Sequence, residues 1–336
     1  DVTISWPMLK SLDNFRSRGP SSQYNVHRKR KGKPPKGLNE NHARELLELH
    51  TVSPDCGYTQ EDVINAANIM TGWGFVRKSG KREHVEDREV GYNGKVHEPG
   101  THVVMGRKFK PEGFDVKTKG KKQLRDLVEY LSSHESCRRF ISWKLCRHFI
   151  CDDPTDEMVQ MVVDAWETSD GMLPDIHRAV LRAAWRFGDR HRKFQMPETW
   201  FLQVVRMSGT PWPGDPKAFE YDFKSKPGPI QRRPERILSE LGHRPFRAKQ
   251  PNGFPDTEAE WLSPEYLVRR LSLINNAYRF DLWTNDMDVK RHVDTVLRQN
   301  FDNPEALLAF HEGLGDDASA SDRLVALFCS ERMLKA

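Results

Sequence analysis

The sequence contains few cysteines. It has five in 336 residues, and no two of them form a C-x-x-C pair. So sparse and odd-numbered a set excludes a disulfide-rich scaffold, and its spacing does not suit a structural zinc site built from paired thiolates. Buried free thiols are the favoured interpretation. One disulfide within the stretch from Cys137 to Cys151 is the alternative in an oxidising compartment.

Long apolar runs, a strong charge bias and the common catalytic fingerprints are also absent. No segment approaches the roughly 18 apolar residues that a membrane-crossing helix requires. The 53 Lys and Arg residues outnumber the 48 Asp and Glu residues by only five. The motifs G-x-G-x-x-G, G-x-x-x-x-G-K-S/T and G-x-S-x-G, which mark nucleotide-binding proteins and serine hydrolases, do not occur. The composition therefore indicates a globular chain, and no motif by itself assigns a reaction.

Helical periodicity dominates the sequence. Apolar residues recur at spacings of three and four in most segments, and no alternation of strands with helices indicates a parallel sheet. Between residues 75 and 110, five glycines separate short apolar runs, a pattern that predicts hairpins rather than helices. The predicted fold class is mainly α, a multi-helix domain with a small irregular β-ribbon insertion at 75–110.

Composition also suggests how the chain is organised. Residues 208–231 are rich in Pro and Gly and are typical of an insertion. We expect a helical core over 1–231 that carries the ribbon, and a C-terminal helical lobe over 232–336 packed on it, or both within one domain. The chain begins with Asp1, without an initiator Met or a signal-peptide pattern, which predicts a processed start or a fragment.

The sharpest candidate site lies on the helix predicted over 39–52. At about 100° per residue, Asn41, Glu45 and Glu48 share one narrow polar face, and His42 lies at its edge. Two carboxylates one turn apart repel each other when both are charged. A metal ion, a raised pKa on one carboxyl or an arginine would each compensate for this repulsion.

Two interpretations of this face need no metal. Arg44 lies four residues from both Glu40 and Glu48, so helix ion pairs could make the face a purely structural network. Alternatively, Glu45 and Glu48 are catalytic residues that act as general acid and base on a glycosidic or related bond.

A divalent metal is the third interpretation. His42 and Glu45 stand one turn apart, and His97 or His84 from the ribbon could complete the ligand set. The spacing differs from the H-E-x-x-H arrangement of zinc enzymes, so no known motif supports this site.

Aromatic residues supply a further candidate surface. Four of the nine tryptophans lie beside loop breakers: Trp73, Trp200, Trp212 and Trp261. Such rings can stack on sugars or nucleobases, although most tryptophans pack in cores. The candidate binding residues are Asn41, Arg44, His97 and Trp73.

Two stretches are rich in Lys and Arg, 28–36 and 108–125. We expect 28–36 to form an exposed loop, which either is simply solvated or contacts phosphate, acidic glycan or anionic lipid. Nucleic-acid binding would depend steeply on salt, and the low net charge makes it the least favoured class.

Several motifs occur together along the chain. They are 39–51 (NENHARELLELHT), 57–63 (GYTQEDV) and 71–73 (TGW), with 12–14 (LDN) upstream and 152–154 (DDP), 253–256 (GFPD) and 261–264 (WLSP) downstream. In this combination the chain resembles a large bacterial domain-of-unknown-function family, number eighteen hundred, up to about residue 275.

The resemblance implies a mostly helical and commonly exported protein, encoded near a second exported family that resembles sulfatases and phosphatases. No catalytic mechanism accompanies the family, so no active site is carried over. Members usually have a longer helical region before the LDN block, and the insertions at 28–36 and 208–231 are unusual among them.

We therefore expect an exported cell-envelope or surface protein, located in the periplasm, on the outer surface or in the medium. Its polar pocket would hydrolyse or bind an extracellular polymer, with a polysaccharide as the favoured class. The pocket would be formed around Asn41, Glu45, Glu48 and His97. The competing class is a non-catalytic scaffold with a protein partner in a surface assembly. In that class, Arg44 and backbone amides would satisfy the carboxylates.

Overall fold

The computed structural model describes residues 2–76, 89–113, 115, 118, 120–188, 193–207, 234–279, 288–300 and 303–335. Within them the chain forms sixteen α-helices and two separate antiparallel hairpins. This confirms the predicted fold class, mainly α with a small β insertion.

The chain divides into two compact units. Unit 1 comprises Asp1–Leu145 and Val159–Ala179, and unit 2 comprises Cys146–Met158 and Val180–Ala336. The boundary predicted near residue 231 and the insertion predicted at 208–231 both fall on residues outside the described ranges.

Helices α1 to α8 lie within the first 187 residues. They are α1 Trp6–Ser11, α2 Gln23–Arg30, α3 Asn41–Glu48, α4 Gln60–Met70, α5 Lys121–Ser133, α6 Glu135–Phe149, α7 Asp156–Thr168 and α8 Leu173–Phe187. The remaining helices are α9 Pro197–Met207, α10 Pro234–Glu240, α11 Glu258–Trp261, α12 Pro264–Arg279, α13 Val289–Asn300, α14 Glu305–Gly313, α15 Ala320–Phe328 and α16 Glu331–Leu334. Among the described residues, no helix combines the length and the apolar character that a membrane span needs.

The core of unit 1 joins α3, α4 and α5. The inner face of α3 buries Leu46 and Leu47, and α5 contributes Leu127 and Leu131 to the same cluster. Helix α4 starts with a capping box, in which the Thr59 hydroxyl accepts from the Asp62 amide and the Asp62 carboxylate accepts from the Thr59 amide. The box satisfies amides that lack helical partners and thereby fixes where α4 begins.

The ribbon consists of two hairpins. Strands β1 (Trp73–Val76) and β2 (Glu89–Tyr92) pair with Trp73 opposite Tyr92, and β3 (His102–Val104) pairs with β4 (Arg107–Phe109). Gly72, which links α4 to β1, has a φ of +95°, and a Cβ there would lie 2.6 Å from Cε2 of Tyr92. Glycine is therefore required where the chain turns from helix into hairpin.

The sequence predicted an exposed loop over the basic stretch 28–36, but only part of the stretch is a loop. Its first three residues form the last turn of α2, where positive side chains are favourable next to the negative end of the helix dipole. The remainder is held by Asn25, whose Oδ1 accepts from the Lys36 amide at 2.9 Å and whose Nδ2 donates to the Lys36 carbonyl at 2.8 Å. The segment is exposed but anchored.

The core of unit 2 is built from α9 to α16 around two buried tryptophans. Nε1 of Trp200 donates to the Phe328 carbonyl at 2.8 Å, and Nε1 of Trp261 donates to the Pro255 carbonyl at 2.6 Å. All five cysteines are free thiols, and Cys137, Cys146 and Cys151 are buried.

Candidate carboxylate face

Helix α3 separates an apolar face from the predicted polar one. It begins where the Asn39 Oδ1 accepts from the Asn41 amide at 2.9 Å. Leu46 and Leu47 point into the core, while Glu45 and Glu48 are half-buried on the opposite side. The amphipathic pattern thus places both carboxylates at the protein surface with part of each side chain removed from water.

Arg44 forms its ion pair with Glu40 and not with either candidate carboxylate. Its Nη2 donates to Gln60 Oε1 at 2.7 Å and lies 3.4 Å from Glu40 Oε2. The Gln60 amide also donates to Glu40 Oε2 at 2.6 Å. Of the two helix ion pairs considered from the sequence, Arg44 therefore forms the one with Glu40 and not the one with Glu48.

The carboxylates of Glu45 and Glu48 form no hydrogen bond or ion pair with any described residue. Burial raises the pKa of Glu45, and the nearby charge of Glu48 raises it further, while Arg44 acts in the opposite direction. Of the three means of compensating the repulsion, the structure shows a raised pKa. A carboxyl whose pKa is raised beside a second carboxylate is a candidate for the general acid of an acid–base pair.

Tyr58 belongs to the same face, although the sequence did not single it out. Burial raises the pKa of its phenol, and the charge of Glu48 raises it as well. The residue lies in the loop between α3 and α4. Because the two helices form a hairpin, this loop lies beside the end of α3. That hairpin was visible in the sequence, and its loop residues could have been included on that ground.

His97 does not belong to this face. It is buried, with Nδ1 2.8 Å from the Thr71 carbonyl and Nε2 3.0 Å from Gln123 Oε1. A Cβ added to Gly120 would lie 2.5 Å from Nε2 of His97, so the backbone also closes over the ring. The imidazole links the end of α4 to α5 and is not open to a ligand.

The metal site proposed from the sequence is not formed. His42 is 0% exposed on the inner side of α3, and both nitrogens of His97 already face oxygen atoms. The described residues contain no group of three His, Cys, Asp or Glu side chains that could hold a metal ion. His42, Glu45 and His97 are therefore not assembled as ligands, because they lie on opposite faces of α3 or in a separate buried network. His84 lies outside the described residues.

His42 is unusual for a buried histidine. Neither of its ring nitrogens has a hydrogen-bond partner among the residues that the structure describes. Burial lowers its pKa to about 4, with a smaller contribution from the charge of His50. A neutral imidazole without partners in a core adds no hydrogen bond to the folded state. When it acquires a proton, the buried charge destabilises that state.

The predicted aromatic platform is mostly core. Trp200 and Trp261 are buried, Trp212 lies outside the described residues, and Trp73 is half-buried with its ring 5.5 Å from that of Tyr92. Among the described tryptophans, Trp185 on α8 is exposed, with 91% of its surface accessible. No loop breaker marks Trp185, and only its position on the polar side of a helical wheel could have revealed it.

The comparisons with known proteins assign no chemistry to these residues. Neither a curated protein sequence nor a solved structure shows significant similarity to the chain. A family model described as "Protein of unknown function (DUF1800)" matches residues 1–333. Because the match spans almost the whole chain, the protein belongs to this family.

Proposed function

We propose that this is an exported cell-envelope or surface protein that binds an extracellular polymer over the carboxylate face of α3. The favoured polymer is a polysaccharide. In the proposal Glu45 donates a proton to the glycosidic oxygen as its bond to the anomeric carbon breaks, and Glu48 accepts a proton from the water molecule that attacks this carbon. Export rests on the resemblance to a commonly exported family. The chemistry rests on the two carboxylates.

The observation that carries the proposal is the pair of half-buried carboxylates without ionic partners. Folding places Arg44 beside Glu40 and leaves Glu45 and Glu48 free of hydrogen bonds from the described residues. Partial burial of two neighbouring carboxylates opposes folding unless a ligand or another function compensates for it. A polysaccharide would supply hydroxyl groups that donate hydrogen bonds to both of them.

Two neutral groups beside the pair suit a sugar as well. Asn41 is exposed on the same face, and its amide both donates and accepts hydrogen bonds. The Tyr58 phenol does the same and stays protonated over a wide pH range, since its pKa is raised. Hydroxylated ligands need donors and acceptors together, and this face offers both.

The test combines binding with bond cleavage. Purified protein is titrated calorimetrically with a panel of neutral and acidic bacterial polysaccharides, and released reducing ends are measured in parallel. We expect at least one polymer to bind, and the Glu45→Gln, Glu48→Gln double variant to bind it about tenfold more weakly. Glu61→Gln, an exposed carboxylate on α4, is the matched control and should bind like the wild type.

The outcomes separate the parts of the proposal. If a polymer binds but no reducing ends are released, the protein binds the polymer without cleaving it. If reducing ends are released at a rate that falls as Glu45 loses its proton, the result supports the role of Glu45 as an acid. The proposal fails if no polymer binds, or if the double variant binds as well as the control.

A non-catalytic scaffold is the second candidate, and a separate observation favours it. Leu181 and Trp185, one turn apart on α8, are 64% and 91% exposed. Large apolar side chains exposed together are typical of protein–protein contacts. If this function holds, Trp185→Ala should lower the oligomer mass or partner recovery measured by light scattering, while Leu202→Ala, a solitary exposed leucine on α9, should not.

A further inference from the structure

Unit 2 contains a cleft that the proposed function does not use. It has a volume of about 320 Å³ and lies among α13, α14 and α15, a size suited to a small molecule. Its lining joins the first two turns of α13 with the second half of α14 and the first turn of α15. Every residue that lines it belongs to unit 2, so the cleft is independent of the α3 face.

Two buried basic side chains reach this cleft. Arg323, only 6% exposed, donates through Nη1 to the His311 carbonyl at 3.1 Å and through Nη2 to the Gly315 carbonyl. It forms no ion pair with any carboxylate among the described residues. Two carbonyl dipoles hold the guanidinium in place, and the exposed carboxylate of Asp316 attracts its charge without forming an ion pair with it. A buried guanidinium without a paired carboxylate favours an anionic group from outside.

His311 completes the inner part of the cleft. It is 5% exposed, and neither Nδ1 nor Nε2 has a hydrogen-bond partner in the part of the chain that the structure describes. Burial lowers its pKa, and the charge of Arg323 lowers it further, so the ring is neutral near pH 7. A neutral imidazole offers one donor and one acceptor, and an unpartnered buried donor is costly unless a ligand or water engages it.

The outer part of the cleft carries the opposite net charge. Two of its charged residues are already paired, Lys290 with Asp316 at 3.0 Å and Asp294 with Arg298 at 3.1 Å. The other three rim residues form no ion pair within the part of the chain that the structure describes: Asp288, Arg291 and Glu312. Two carboxylates and one guanidinium leave the unpaired rim with a net charge of −1.

We propose that this cleft binds a small zwitterion, an α-amino acid or a dipeptide. The carboxylate of the ligand pairs with Arg323 and accepts from His311, and its ammonium group lies between Asp288 and Glu312. Val293 and Leu308 line the same cleft and contact the ligand's carbon atoms. The bound zwitterion thus compensates a buried cation and two rim carboxylates together, which a neutral sugar or a simple anion cannot do.

The experiment uses saturation-transfer NMR on the whole protein. The probes are an equimolar mixture of the common L-amino acids and, separately, L-alanyl-L-alanine, each at about 1 mM, a range that detects weak ligands. We expect transfer to at least one zwitterion, and its loss when the same compound is N-acetylated or C-amidated. Glu312→Gln should weaken binding about tenfold. Glu305→Gln, on the same helix but outside the lining, should leave it unchanged.

Arg323 anchors the turn after α14, so its replacement could unfold the unit, and the exposed Glu312 is the better probe. The proposal is overturned if no zwitterion gives transfer, or if the acetylated and amidated forms bind equally well. It is also overturned if sodium acetate alone competes as strongly as the amino acid, or if Glu312→Gln binds like Glu305→Gln.

Discussion

The two polar regions that the sequence suggested in unit 1 have opposite characters. His97 lies in a buried network in which both ring nitrogens face oxygens of Thr71 and Gln123. Glu45 and Glu48 lie half-buried on α3 with no hydrogen-bond partner among the described residues. The sequence grouped all three as one pocket, whereas the structure assigns them to different faces of the unit.

The difference shows how to distinguish folding from function. The Thr71 and Gln123 side chains of the buried network make several hydrogen bonds, so removing one of them should cost stability. The carboxylate face contributes little to stability and includes a mutual repulsion, so removing its charges should cost little or even stabilise the protein.

The largest effect is expected from Gln123→Ala. The Gln123 amide donates to the Gly100 and Phe109 carbonyls at 3.0 Å each, and its Oε1 faces His97. Alanine would remove three hydrogen-bond contacts, two of them buried, so we expect a loss of about 4 kcal/mol in the free energy of unfolding. Urea denaturation followed by circular dichroism measures it.

The matched control is Gln60→Ala, because Gln60 makes its hydrogen bonds at the exposed surface. We expect it to cost less than about 1 kcal/mol. Equal losses for the two variants would contradict the structural role of the buried network.

The second effect concerns His42, on the inner side of the same helix. Its folded pKa is about 4, against an ordinary value of 6.5, so the unfolded chain takes up a proton first as the pH falls. Above pH 6.5 the imidazole is neutral in both the folded and the unfolded state, so its protonation costs no stability. As the pH falls from 6.5 to about 4, only the unfolded chain binds the proton, and the free energy of unfolding decreases by about 3 kcal/mol. His42→Leu should show a shallower decline of unfolding free energy over this range, and identical pH profiles would refute the assignment.

A smaller effect is expected at the start of α4. Thr59→Ala removes the hydroxyl of the capping box and should lower stability by about 1 kcal/mol. Thr59→Ser keeps the hydroxyl and should restore most of the loss. A thermal denaturation series with both variants separates the cap from side-chain volume, and failure of serine to rescue would contradict the cap.

The smallest effect is expected from the carboxylate face itself. The Glu45→Gln, Glu48→Gln double variant should change the unfolding free energy by no more than about 0.5 kcal/mol, in either direction. The same urea series measures it. A loss of several kcal/mol would show that the two carboxylates belong to a structural network.

Local features could be predicted from the sequence, and long-range ones could not. The helix predicted over 39–52 and its polar face depend on neighbours three or four residues away, and the structure contains α3 there, at Asn41–Glu48, with Glu45 and Glu48 on the side opposite the core. The network of His97 joins residues 26 positions away on either side, so spacing along the chain gave no sign that its ring was occupied. Arg44 illustrates the same limit, since its choice of Glu40 depends on Gln60 in the next helix.

Titration of the Glu45 carboxyl by carbon-detected NMR tests the central claim most directly. If Glu45 and Glu48 are coupled and unpaired, the pKa of Glu45 lies above its ordinary value of 4.5 and falls in the Glu48→Gln variant. A pKa at or below the ordinary value, unchanged by Glu48→Gln, would show that the two carboxylates do not act on each other.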